Sequence, residues 1–171
     1  MEPATPRSHC QQALAIFAER VFSRWQGLPA GCVLADVFAQ FERLNEGVGA
    51  GTLGEAREEA QFTMLRVPGY AQPVRVWFRG VQVVLLDAEY PEIAPGEIEA
   101  LGEPAVRLDY TWGRLQLEGG QHVWPDRGLA LFVNPDNGAL IHLSAFTPTS
   151  LEHYAQSLML GLRTERLRHS G

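Results

Sequence analysis

The stretch from Tyr110 to Pro148 limits most narrowly what this chain can fold into. Short runs of alternating apolar and polar residues are separated there by glycine, proline and asparagine, and the run leads into a helix cap. Strands are expected at 106–111, 113–118, 121–125, 128–134 and 139–146. Glu118-Gly119-Gly120 reads as a tight turn, and Asn134-Pro135-Asp136-Asn137-Gly138 as another, rich in residues that tolerate positive φ. Pro125-Asp126-Arg127-Gly128 breaks the run between strands. Thr149 with Glu152 forms a capping box, and Leu151, Tyr154, Ala155, Leu158 and Leu162 follow on one helical face. Arg163, Arg166 and Arg168 then sit where a helix dipole favours cations.

The first part of the chain alternates less regularly. Residues 1–8 read as a flexible tail. From His9 to Gly27 the residues Cys10, Leu14, Phe17, Val21, Phe22 and Trp25 recur at three- and four-residue steps, which predicts a helix ended by Gly27, Pro29 and Gly31. A second helix is expected over Val33–Leu44, pairing antiparallel with the first. Gly47 to Gly54 reads as a mobile loop, followed by a charged helical turn at Glu55–Glu59 and a strand over Gln61–Val67. Val74, Val76 and Phe78 alternate with Arg75, Trp77 and Arg79, Arg79-Gly80 turns the chain, and Val81–Ala88 returns as a more buried strand. Gly96–Leu101 reads as a short acidic helix.

An internal echo links the two parts. Leu86, Ala88 and Pro91 match Leu143, Ala145 and Pro148 at a constant spacing of 57 residues. That is the trace a duplicated helix-plus-meander unit would leave, with sub-units at 33–93 and 94–163.

Composition narrows the chemistry. The chain has 171 residues and a formal net charge of -6, which fits one domain and argues against nonspecific binding to nucleic acid. All 14 basic residues among Lys and Arg are arginine. Schiff-base, phosphate-loop and kinase lysines are thereby excluded. No segment reads as a membrane span or a secretory signal, so a cytoplasmic location is expected, with Cys10 and Cys32 read by default as two buried thiols and a disulfide between helices as the alternative. The two cysteines fit no zinc spacing, and neither a metal nor a cofactor is expected.

Gly49-Ala50-Gly51-Thr52-Leu53-Gly54 spells the dinucleotide fingerprint, but a helix rather than a strand precedes it and Glu55, Glu58 and Glu59 follow. It therefore reads as a loop. Asp87 with Glu89, and Glu97 with Glu99 and Glu103, read as a solvated acidic face suited to a basic partner. Trp124, Asp126 and Arg127, together with Trp77, Arg75 and Arg79, are the candidate binding residues, because tryptophan and arginine dominate binding hot spots. His122, His142 and Ser144 with Asp126 form the alternative, a sheet pocket for a small molecule or for hydrolysis.

These observations predict an α+β domain, with an N-terminal helix pair and a C-terminal helix packed on a mainly antiparallel sheet built from two meanders. In the order of its elements the chain resembles the helix-plus-meander modules of small bacterial inhibitor and immunity proteins, such as the β-lactamase-inhibitor class. The expected function is non-enzymatic binding of another protein, as an inhibitor, an immunity-type factor or a secretion-associated adaptor.

Overall fold

The computed structural model describes residues 6–112, 117–134 and 136–160. The elements run α1 (Pro6–Glu19), α2 (Leu34–Gln40), β1 (Glu42–Arg43), β2 (Gly49–Leu53), β3 (Glu58–Arg66), β4 (Val74–Arg79) and β5 (Gln82–Glu89). Then come α3 (Pro95–Glu99), β6 (Val106–Trp112), β7 (Leu117–Trp124), β8 (Leu129–Val133), β9 (Leu140–Phe146) and α4 (Leu151–His153), which continues as a π turn over Tyr154–Leu158. The strands form one nine-stranded antiparallel sheet in the order β1-β3-β4-β5-β9-β8-β7-β6, with β2 also paired to β3. The chain is thus α+β, as its alternation predicts.

Strand alternation divides the core into two layers. Val74, Val76, Leu86, Ala88, Leu129, Leu131, Leu143 and Ala145 face Cys10, Leu14, Phe17, Trp25 and Val37 on one side of the sheet. Trp77, Leu85, Ala130, Phe132 and Phe146 face Tyr154 and Leu158 on the other. The Tyr154 ring stacks on Phe146 with centroids 4.8 Å apart.

The two meanders are related by a local two-fold axis. β5 and β9 pair about Asp87 and Ser144, so Leu86 faces Ala145 and Ala88 faces Leu143. These are the residues that the 57-residue spacing matches, and such reciprocal pairing is the mark of an isologous contact. Both strands carry a bulge at the matched place. Pairing with β4 steps from Trp77–Leu85 to Phe78–Val83, which leaves Val84 extra. Pairing with β8 steps from Phe132–His142 to Val133–Leu140, which leaves Ile141 extra. The outer hairpins also correspond, Leu53 pairing with Glu58 and Trp112 with Leu117.

Several expectations are corrected. Pro6–Ser8 belong to α1, and residues 1–5 lie outside the described set. α1 ends at Glu19, earlier than the apolar period suggests, because Arg20 turns the chain at φ 60. Phe22 and Trp25 then pack from a short 3₁₀ turn instead. α2 spans Leu34–Gln40 only, its start fixed by Val33 N–H donating to the Asp36 carboxylate at 3.3 Å, and Phe41 is extended. Cys10 and Cys32 are not free thiols but form a disulfide with their Cα atoms 5.4 Å apart, tying α1 to the segment before α2.

Gly49–Leu53 is a strand rather than a mobile loop. Its glycines lie under aromatic rings, and a Cβ on Gly49 would meet the Phe62 ring at 2.3 Å. The expected helical turn at 55–59 is the β2–β3 hairpin and the start of β3. Glu118–Gly120 does not turn but runs inside β7, paired with Asp109–Thr111. The ladder to β6, joined by β8 from Gly120 onward, outweighs the turn preference of the glycines there. The last helix is capped by Ser150, whose hydroxyl accepts from His153 N–H at 3.1 Å, not by Thr149. Leu151 is exposed rather than part of the buried stripe, while Leu162, Arg163, Arg166 and Arg168 lie outside the described residues.

The segment 27–34, which turns at Ala30–Gly31 and is extended at Val33, lies against the start of β5 and the end of β9 and is held there largely by its backbone. Leu28 N–H donates to Phe146 O at 3.0 Å, Val83 N–H to Cys32 O at 3.1 Å and Leu34 N–H to Val81 O at 2.9 Å. Val33 bridges to Gln82, whose side-chain amide donates to Ala30 O and Cys32 O. Gly27, at φ 96, sits so close to the Pro148 ring that a Cβ would lie 2.3 Å from it.

Candidate functional site

Two places on the sheet concentrate polar chemistry. The first is a row across its centre, on the face that α4 covers. Arg75, Asp87 and Ser144 are successive cross-strand neighbours on β4, β5 and β9, and Glu89 and His142 form the next pair along. His142 Nδ1 lies 2.6 Å from Asp87 Oδ1, so the assigned tautomer donates Nδ1–H to the carboxylate. Its Nε2 is 3.9 Å from Glu89 Oε1. Arg75 Nη1 is 3.6 Å from Asp87 Oδ2, and its guanidinium lies over the Phe62 and Trp77 rings at 4.8 and 5.9 Å.

Asp87, His142 and Ser144 are 2%, 6% and 1% exposed. Burial of a carboxylate costs several kcal/mol unless partners compensate, and Asp87 has Arg75 and His142 beside it. The Tyr154 hydroxyl donates to Gln121 Oε1 beside them. Burial, with a smaller contribution from the Asp87 carboxylate, pushes the Tyr154 phenol far above its ordinary range, so it stays protonated.

The imidazole–carboxylate contact is half of a nucleophilic triad. The other half is not formed: Ser144 Oγ is buried without a hydrogen-bond partner among the described residues. The rest of the alternative pocket lies elsewhere. His122 pairs with Leu131, on the opposite face of the sheet, its ring 6.4 Å from Trp124. Burial and then Arg107 lower its pKa, against Glu103. Asp126 is exposed in the 3₁₀ turn after β7. Of the four residues, only His142 and Ser144 share a face, and their carboxylate neighbour is Asp87 rather than Asp126.

The candidate binding residues divide similarly. Trp124 is buried in the first core. Arg127 clasps the chain itself, donating to the carbonyls of Phe22, Ser23 and Trp25 at 2.8–3.2 Å. Trp77 is buried against Phe62, and Arg79 donates to Glu59 O and Ser157 O. Arg75 joins the central row.

The second place is a cleft of about 770 Å³ at the other end of β5 and β9 from Gly27–Leu34. Glu19 and Arg20 at the end of α1, Pro91–Ile98, and Gly138–Leu140 before and at the start of β9 line it. Ile93, Ile98 and Leu140 supply an apolar floor packed on the first core. Glu19, Glu92 and Glu97 supply carboxylates. Glu97 is oriented by the Ser23 hydroxyl at 2.7 and 2.9 Å. Arg20 donates to Glu92 O at 3.1 Å and lies 5.8 Å over the Tyr70 ring, so the one lining cation is engaged by the protein.

Sequence reasoning found the acidic helix but not the cleft, because its walls come from three separated segments. Among the described residues no group of three or more His, Cys, Asp or Glu is placed to hold a metal. No helix in them is long and apolar enough to cross a membrane. Set against family models, curated proteins and solved structures, the chain matches none.

Proposed function

We propose that the protein works by binding another protein, as an inhibitor, immunity-type factor or secretion-associated adaptor of a bacterial cell, and that its partner presents a basic surface. The observation that carries this is the cleft. It is concave, has an aliphatic floor, and is rimmed by Glu19, Glu92 and Glu97 on a chain of net charge -6. Such a surface steers and selects a cationic partner. Native-cell purification with mild cross-linking tests it: a single stoichiometric co-eluting protein is expected, and a monomeric elution with no adduct would overturn the reading.

A second reading, hydrolysis or small-molecule binding at the central row, is favoured by the contact between Asp87 and His142. It requires that His142→Gln and Ser144→Ala both abolish a turnover measured with ester substrates. A loss in neither variant removes it.

The cytoplasmic location belongs to this proposal, and the disulfide weighs against it, since such bonds persist in oxidising compartments. Alkylation in intact cells decides. Thiols that react before reduction support the cytoplasm, and thiols that react only afterwards place the chain in an oxidising compartment.

A further inference from the structure

The two-fold relation between the meanders says what the acidic cleft is for. Its wall Gly138, Ala139 and Leu140 corresponds, at the 57-residue spacing, to Val81, Gln82 and Val83. Its wall residue Pro91 corresponds to Pro148. In the other half those equivalents do not border an open cleft. They hold Gly27–Leu34: Pro148 packs on Gly27, Val81 O and Val83 N–H bond the backbone of Leu34 and Cys32, and Gln82 bridges to Val33. One groove of the pair is filled by the chain's own segment 27–34, bridged to β5 at Val33.

From this we infer that the cleft at Pro91–Ile98 and Gly138–Leu140 is the open counterpart of that groove, and that it takes an extended, aliphatic segment of a partner protein carrying arginine or lysine. The inference rests on the protein-binding reading and names its seat. Three features set the occupant's chemistry. At Val33 the filled groove is occupied as an antiparallel bridge to Gln82, and such pairing takes extended backbone. Leu28 and Cys32 of the filling segment enter the first core, and Ile93, Ile98 and Leu140 present apolar side chains packed on that same core at the open groove. The open groove differs from the filled one in its carboxylates, Glu92 and Glu97, with Glu19 from α1 alongside. Those carboxylates call for a cation that Gly27–Leu34 does not carry.

The probe is the peptide Gly-Leu-Pro-Ala-Gly-Ser-Val-Leu, which copies the filling segment with serine for cysteine, made with arginine at either end and titrated into the ¹⁵N-labelled protein. Saturable shifts are expected at the amides of Glu92–Ile98 and Gly138–Leu140. Binding should weaken roughly tenfold in Ile98→Asp and in the exposed Glu92→Arg, with melting temperatures confirming the fold. No saturable shift, shifts elsewhere, or unchanged binding in both variants would overturn the inference. So would contacts from residues 161–171 to Ile98 in the free protein, which would make the chain its own occupant. Shifts of the same amides on dilution would assign the cleft to a second copy and overturn the partner. If these tests fail while native cross-linking still yields a partner, the seat is wrong and the protein-binding reading stands.

Discussion

Matched through their registers, β4–β5 and β8–β9 carry Val76 opposite Leu86 and Leu131 opposite Leu143, with Trp77 where the second half has Phe132. All six are buried. The polar positions do not match. Arg75 stands where the second half has Ala130, Asp87 where it has Ser144, and His142 where the first half has Leu85. The scaffold therefore tolerates apolar or small residues at each place where the central row puts a charge. Packing is held in common because the sheet cannot close without it, whereas the charges are particular to one side and are not demanded by the fold.

The largest expected effect breaks this comparison at its axis. Asp87→Ala leaves His142 and Arg75 without their carboxylate and should cost about 3–5 kcal/mol in urea unfolding. Ser144→Ala, at the equivalent position, should cost under ~1 kcal/mol because its hydroxyl has no partner to lose. Equal losses in the two would show that the row is not asymmetric in energy.

The filled groove is stapled and the open one is not. Removing the bond with Cys10→Ser and Cys32→Ser should cost about 3 kcal/mol for a loop of 22 residues. It should also quicken amide exchange at Leu34 and Val83 while leaving Leu140 unchanged, measured by hydrogen exchange.

Symmetrising the row sharpens the same point. The triple variant Arg75→Ala, Asp87→Ser and His142→Leu removes three members of the network at once and leaves the exposed Glu89 as the only charge of the row. It should keep its stability or gain up to ~4 kcal/mol, since a whole buried network is often replaceable by apolar groups. A loss as large as that of Asp87→Ala would show that the charges are structural.

The smallest effect concerns His122, on the opposite face. Its folded pKa is depressed below the ordinary 6.5, so the unfolded chain binds the proton first. Stability should fall as pH drops through 6.5 and level off below the folded value. His122→Gln should remove that slope and leave stability at pH 8 unchanged.

The strands at the centre were legible because Val74–Arg79 and Leu140–Phe146 are short apolar-rich runs bounded by turn signals, and the 57-residue echo pairs the two strands that meet there. β2 was not legible. Its glycines read as a loop, and only the Phe62 and Trp77 rings, brought over them by β3 and β4, make a strand of them. The turn expected at Glu118–Gly120 failed for a related reason, since pairing with β6, and with β8 at Gly120, overrides local preference. At the candidate site the sequence groups His142 and Ser144 with Asp126, which lies in the turn after β7. The true neighbour, Asp87, is 55 residues from His142 and becomes adjacent only through the register of β5 with β9. The echo carried that signal, because it aligns Asp87 with Ser144.

The central claim is that a groove filled in one half is left open in the other for a partner. Photo-cross-linking in the native cell tests it most directly, with the reactive side chain placed at Ala139 in the open groove and, as a control, at the exposed Val81 beside the filled one. One partner adduct is predicted from position 139, lost in Glu92→Arg, and none from position 81. Adducts from both positions alike, or none from position 139, would contradict the claim.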